Sequence, residues 1–279
     1  MPDVAGLLAQ GGRALGSAAE ARTLLAHAAG VDPSRLALVA EVAEATAAEY
    51  ERLVGRRAAG EPVQYLTGRA WFRTIGVDVA PGVFIPRPET EAMTGWAIER
   101  LRGLTGEPVV VELCAGSGAI SAAIAAERPG CRQYAVELSA TAARMAQANL
   151  SGSGVSLVEG DMATAFTELN GTVDLVIANP PYIPLEAWEQ VAVDVREHEP
   201  ELALFSGPDG LDALRVVAAV ANRLLRPGGF VCAEHAEVQS QAVVELFART
   251  GHFGQVGDHR DDNDRPRYVT AVRAGKLAG

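Results

Sequence analysis

Val109-Val110-Val111-Glu112-Leu113-Cys114-Ala115-Gly116-Ser117-Gly118 is the stretch that decides the fold. Three valines in a row make a short buried strand, and Gly116 and Gly118 let the chain turn sharply after it. The Ala-rich run from Ala119 to Ala126 then reads as a helix. A strand that passes through a glycine turn into a helix opens a βαβ unit. The turn lies at the carboxyl end of the strand, where open α/β sheets take their ligands.

The pattern repeats downstream. Tyr134-Ala135-Val136 leads into a helix from about Thr141 to Leu150, Val155 to Val158 is a third strand, and Val173 to Ala178 is a fourth. A helix with Leu211, Leu214, Ala218, Ala221 and Leu225 on one face ends at Arg226-Pro227-Gly228-Gly229, and Phe230 to Ala233 is a fifth strand. Short apolar strands alternating with helices predict an α/β domain with a mainly parallel, twisted, Rossmann-like sheet over residues 89–279. Upstream, residues 1–70 show the three-and-four spacing of helices, as in Leu24, Leu25, Ala28 and Leu36, Val39. This is a small all-α domain, with Asp32-Pro33 as one helix start. Residues 71–88 form a connector: Phe72, Ile75, Val77 and Val79 suggest a hairpin, and Pro81, Pro86 and Pro88 an ordered loop.

Composition narrows the class. The chain of 279 residues is 48% hydrophobic, enough for a sizeable core. Its formal charge of −11, from 24 basic and 35 acidic residues, is repelled by phosphate backbones, so direct nucleic-acid binding is not expected. No apolar run reaches the length of a membrane span and no secretory leader opens the chain. Cys114, Cys131 and Cys232 are odd in number and widely spaced, which speaks against a disulfide framework or a metal site and for a reducing cytoplasm.

Two features carry the chemistry. Glu137 ends the second strand nineteen positions after Gly118, where a carboxylate can accept from both hydroxyls of a ribose. With the glycine turn it indicates an adenosine-type ligand. A dinucleotide site would want a third glycine where Ser121 stands. The second feature is Asn179-Pro180-Pro181-Tyr182, directly after the fourth strand. Two prolines stiffen the backbone and remove two N–H donors, so Asn179 and Pro180 offer a side-chain and a main-chain carbonyl as fixed acceptors. Such a pair can hold both hydrogens of a planar NH2 group, with the Tyr182 ring as a flat apolar face. Holding both N–H groups directs the nitrogen lone pair at an electrophile and stabilises developing positive charge.

These residues, together with Gly60-Glu61-Pro62-Val63-Gln64-Tyr65-Leu66-Thr67-Gly68, Phe84-Ile85-Pro86-Arg87-Pro88-Glu89-Thr90-Glu91, Arg196-Glu197-His198-Glu199-Pro200 and Glu234-His235, resemble the bacterial release-factor glutamine N5-methyltransferases over nearly the whole chain. The resemblance implies a class I methyltransferase fold, S-adenosylmethionine as cofactor, and class I peptide chain release factors as partners. Asn179 and Pro180 would hold the glutamine amide of a Gly-Gly-Gln loop, with Pro181 and Tyr182 beside it. Cys114, Ala115, Gly116, Ser117, Gly118, Glu137 and Asn179 would contact the cofactor. Glu112 would face its amino-acid end, Asp161 and Met162 its adenine, and Phe84 and Arg87 would close over it. The helical domain would grip the release factor. The chain departs from the family pattern at Cys114, where a glycine is usual, at Glu137, where Asp is commoner, and at Met162, where an aromatic often stands. A methyltransferase acting on a ribosomal-protein glutamine or on an exocyclic amine of a nucleic-acid base uses the same two-acceptor logic, and both stay open at this point.

Overall fold

The computed structural model of the chain describes residues 1–275; the last four positions of the expected 89–279 domain lie outside the described residues. The chain folds as two compact units, Met1–Arg69 with Ala192–His198, and Ala70–Val191 with the chain from Glu199 on. The 71–88 segment therefore belongs with the sheet. A short downstream segment belongs with the helices, which the sequence reading did not foresee.

The first unit holds α1 (Val4–Leu15), α2 (Ala18–Ala29), α3 (Glu44–Ala58) and α4 (Val63–Thr67). Asp3 caps α1 by accepting from the N–H groups of Ala5 and Gly6, and Ser17 caps α2 through Glu20 N. Leu24, Leu25, Leu36, Tyr50 and Leu53 form its buried core. Gly11 is needed there, because a Cβ would collide with the Tyr50 hydroxyl, which donates to Leu7 O at 3.2 Å. The helix expected after Asp32-Pro33 is only a turn followed by one 3-10 turn, Leu36–Leu38. Asp32 Oδ1 accepts from Ser34 N at 2.8 Å, which caps the turn, and Val39 is already extended.

The second unit begins at Ala70, inside the hairpin of β1 (Arg69–Phe72) and β2 (Ile75–Asp78), followed by the ordered loop to Arg87 and α5 (Pro88–Arg102). Pro88 opens α5, Glu89 and Glu91 sit in its first turn, and Arg100 and Arg102 in its last, all favourable to the helix dipole. Then come β3 (Val109–Leu113), α6 (Ala119–Glu127), β4 (Arg132–Glu137), α7 (Ala140–Asn149), β5 (Ser156–Glu159) and β6 (Val173–Ala178). After α8 (Val193–His198), which belongs to the first unit, follow α9 (Asp212–Leu224), β7 (Leu225–Glu234), α10 (Ser240–Arg249), β8 (Phe253–Arg260) and β9 (Pro266–Arg273).

The seven strands run in the order β5-β4-β3-β6-β7-β9-β8. The first five are parallel, and β9 is antiparallel to both β7 and β8. All five residues of β3 are buried, as a parallel strand covered on both faces requires. Successive strands go one way from β3 to β5 and the other way from β6 to β7, so the order reverses between β3 and β6. The crevice at that reversal is where a ligand fits. The last helix and the β8–β9 hairpin were absent from the sequence expectation. Buried Val243 and Phe247 pack α10 onto the shared core, and Val269 and Ala271 of β9 belong to the same core.

The strand order makes a stability prediction. Leu175, fully buried in the middle of β6, should cost about 2–5 kcal/mol when replaced by Ala. Val158 on the edge strand β5 is 43% exposed, so Val158→Ala should change stability by no more than about 0.5 kcal/mol. Urea unfolding of the two variants separates a central from an edge strand; equal losses would contradict the order.

Candidate active site

The sheet register aligns the site. Leu113 pairs with Val136 on one side and with Ala178 on the other. The next residue of each strand is therefore Cys114, Glu137 or Asn179, and the three stand in a row along the carboxyl edge. A cavity opens over this row.

The glycine turn folds as a tight nest. Cys114, Gly116 and Gly118 have φ of 59°, 56° and 78°. Cys114 thus occupies a left-handed position that glycine takes without strain, and a side chain there costs about 1–2 kcal/mol. At Gly118 a Cβ would press within 3.1 Å of the Leu150 side chain. Glu137 braces the turn, with one carboxylate oxygen accepting from Gly116 N and the other from Ser139 N, both at 2.8 Å. Asn149 ties the same turn to the hairpin by donating to Ser117 O and Asp78 O at 2.9 Å each.

Glu112 is 1% exposed. Its Oε2 accepts from the amide and hydroxyl of Ser121, while Oε1 is buried without a partner and the residue faces the cavity. Burial pushes its carboxyl up to about 8. Ser121, read from the sequence only as a missing glycine, is the residue that holds Glu112 at the start of α6.

Asn179 and Tyr182 share a buried network. Asn179 Nδ2 donates to Thr90 Oγ1 at 3.2 Å, Thr90 Oγ1 donates to Glu234 Oε2 at 2.6 Å, and the Tyr182 hydroxyl donates to Glu234 Oε1 at 3.0 Å. Burial raises the Tyr182 hydroxyl well above its ordinary range, with the nearby Glu234 charge adding to it, so it stays a donor. Burial pushes the Glu234 carboxyl up to about 7 against the hydrogen bonds from Thr90 and Tyr182. Both Thr90 and Glu234 lie in segments that drew attention in the sequence, but neither was assigned a role there.

Most of the expected site residues meet in this cavity. Phe84, Glu112, Cys114, Ala115, Gly116, Ser117 and Glu137 line it, as do Asp161, Met162, Asn179, Pro181 and Tyr182. Met162 Sδ lies 3.6 Å from Cys114 Sγ, so the two departures from the family pattern pack on each other. Gly118, Pro180 and Arg87 are not on the wall. Gly118 precedes α6, Pro180 is buried and stands in the chain between the lining residues Asn179 and Pro181, and Arg87 pairs with the buried carboxylate of Glu199. The Arg87 guanidinium lies 5.0 Å over the Phe84 ring, so it backs the ring that faces the cavity. Glu199 also accepts from Ile85 N at 3.2 Å and so ties the proline loop to the segment whose Pro200, Leu202 and Leu204 complete the wall.

Residues 7–68 match the PrmC N-terminal domain family, and residues 78–196 match the methyltransferase small domain family. The release factor glutamine methyltransferase of Streptomyces coelicolor is 52% identical over 228 residues, 81% of each chain. That of Mycolicibacterium smegmatis is 42% identical, covering 92% of this chain and 91% of its own. The chain belongs to the release factor glutamine methyltransferase family. A 4-amino-L-phenylalanine/4-methylamino-L-phenylalanine methyltransferase of Streptomyces pristinaespiralis is also 42% identical, over 91% of this chain and 87% of its own. A solved methyltransferase from Pyrococcus furiosus shares the fold with a TM-score of 0.51 at 18% identity, covering 71% of this chain and 89% of its own. The hMettl16 catalytic domain, solved in complex with MAT2A 3'UTR hairpin 6, does so at 0.54 and 16% identity, covering 71% and 74%.

The cofactor of this family is S-adenosylmethionine, and the cavity suits it. The buried, unpartnered Oε1 of Glu112 is an acceptor waiting for a cationic donor, as the cofactor's amino group is. Glu137 stands on the same wall, with spare lone pairs for hydroxyls.

The raised carboxyls set a pH dependence. Glu112 and Glu234 ionise near 4.5 in the unfolded chain but only near 8 and 7 when folded. Between those values the folded state keeps protons that the unfolded state gives up, so these groups make stability fall as pH rises from about 4.5 to about 8. Glu112→Gln should flatten the upper part of that decline in urea midpoints of the cofactor-free protein. Parallel curves for parent and variant would contradict the burial of an ionisable Glu112.

Proposed function

We propose that the chain methylates the side-chain amide nitrogen, N5, of the glutamine in the Gly-Gly-Gln loop of class I peptide chain release factors, in the cytoplasm. The observation that carries this reading is the orientation of Asn179. Its nitrogen is engaged by Thr90, which leaves its carbonyl oxygen to the cavity.

Bound S-adenosylmethionine supplies an electrophilic methyl group on a sulfonium. Asn179 Oδ1 and the Pro180 carbonyl accept the two hydrogens of the glutamine NH2 group. That grip places the nitrogen and raises its electron density where positive charge develops; as the nitrogen–carbon bond forms the carbon–sulfur bond breaks, and the nitrogen gives up one of its two protons to solvent. The Tyr182 ring lies against the amide plane, held there by its hydroxyl on Glu234. Glu112, with its unpartnered Oε1, would hold the cofactor's amino group, and Glu137 its ribose. Phe84, Asp161 and Met162 shape the rest of the wall. Among the described residues no helix is long and apolar enough to cross a membrane, and the three cysteines are free, both compatible with a cytoplasmic enzyme.

A free aromatic amine, the substrate type named for the Streptomyces pristinaespiralis relative, also presents a planar NH2 group to two acceptors. The higher identity to a release factor enzyme, 52%, favours glutamine. Labelled cofactor offered with an intact release factor, a Gly-Gly-Gln peptide, 4-aminophenylalanine, ribosomal proteins and RNA decides among acceptors. Label should enter the release factor, and the bare peptide should be poor because remote contacts position the reacting group.

Asn179→Ala removes one acceptor from the substrate amide. The transfer rate should fall on the order of 10²–10³ in single turnovers. Cofactor affinity should change little, since Glu112 and Glu137 remain. A variant that methylates at the parental rate would show the two-acceptor grip to be wrong.

A further inference from the structure

We propose that Glu234, acting through Thr90, is the positioning residue that locks the Asn179 amide with its carbonyl toward the substrate, and that its ionisation switches this lock.

An asparagine amide turned by half a revolution exchanges its oxygen for its nitrogen. Only one of the two orientations can accept from a substrate NH2. The choice at Asn179 is made by the direction of the hydrogen-bond chain behind it. An ionised Glu234 is acceptor-only. Its two oxygens therefore take the hydroxyl protons of Thr90 and Tyr182, at 2.6 and 3.0 Å. With its one proton committed, Thr90 Oγ1 can only accept, and its partner at Asn179 must be the NH2 end. A protonated Glu234 brings its own hydrogen into the chain. If that hydrogen points at Thr90, the Thr90 proton is free to face Asn179, and the flipped amide becomes equally satisfied. The flipped amide offers N–H to a substrate that itself offers N–H.

The surroundings fit a group that titrates. Glu234 is 1% exposed at the end of β7. Thr90 and Glu89 face it from α5, Tyr182 from the loop after β6, and Arg267 from β9. Arg267 draws the ionised form down and Glu89 pushes it up, while burial dominates. Glu234 does not touch the reacting atoms in this scheme. It acts only by orienting Asn179 and anchoring Tyr182.

The proposal deepens the glutamine reading and rests on it for the acceptor. The test is the pH profile of single-turnover methyl transfer at saturating cofactor. The parental rate should rise with pH through an apparent pKa near 7 and level off. Glu234→Gln, a permanently neutral stand-in with its own donor, should be slower by about twofold on the plateau, the loss that two equally satisfied amide orientations imply, and flat with pH, with cofactor affinity unchanged. Thr90→Val should lose the same limb, and Thr90→Ser, which keeps the hydroxyl, should restore it. The Thr90 pair carries the test if the Glu234 variant fails to fold. A Glu234→Gln or Thr90→Val enzyme with the parental rate, or a slow one with the parental pH limb, would overturn the proposal. The profiles are read on whichever acceptor takes up label, so failure of the release factor as acceptor and failure of the Glu234 lock are separate results.

Discussion

A single hydrogen bond, from Asn179 Nδ2 to Thr90 Oγ1, decides which end of an amide faces the cavity, and the chemistry of the site depends on it. The bond is possible because elements distant in sequence meet there. Thr90 sits in the first turn of α5, placed by the proline that opens that helix. Glu234 ends β7, and Asn179 follows β6, the strand parallel to β7. Two prolines after Asn179 remove the backbone donors that could otherwise compete for acceptors. Rigidity and polarity are therefore supplied together, by a loop stiffened by two prolines and a hydroxyl that an ionised Glu234 points one way.

Sheet register delivers the second half of the site. Pairing of Leu113 with both Val136 and Ala178 brings the glycine turn, Glu137 and Asn179 to one level. A slip of one residue in either pair would turn every side chain to the opposite face. The glycine turn, Glu137 and Asn179 are thus positioned by the same ladder of backbone hydrogen bonds. Glu112 and Glu234 are both buried carboxylates whose ionised forms remain costly despite the donors they already have.

What could be read in the sequence was local. Val109 to Gly118 spells strand, turn and helix within ten residues, and Asn179 to Tyr182 names its own acceptors, so both survive without knowledge of the fold. The five parallel strands follow from the same short-range alternation. The β8–β9 hairpin was not legible because glycines and charges interrupt β8, although Tyr268-Val269-Thr270-Ala271-Val272 carries a strand signal. Nor was the Thr90–Glu234 bond, whose partners stand 144 positions apart and acquire meaning only when α5 and β7 pack. Arg87 was expected to close over the site and instead pairs with Glu199, 112 positions away. Cys114 could be recognised as standing in a glycine's place, while its left-handed φ of 59° and its contact with Met162 are facts of the folded turn.

The central claim is that Asn179 and Pro180 hold a glutamine amide by its two hydrogens. The most direct measurement is a crystal structure of the enzyme bound to a release factor and S-adenosylhomocysteine, the demethylated product of the cofactor. The account predicts the glutamine Nε2 within hydrogen-bonding distance of both Asn179 Oδ1 and the Pro180 carbonyl, with Asn179 Nδ2 still on Thr90. A glutamine amide bound elsewhere in the cavity, or an Asn179 turned to present its nitrogen, would contradict it.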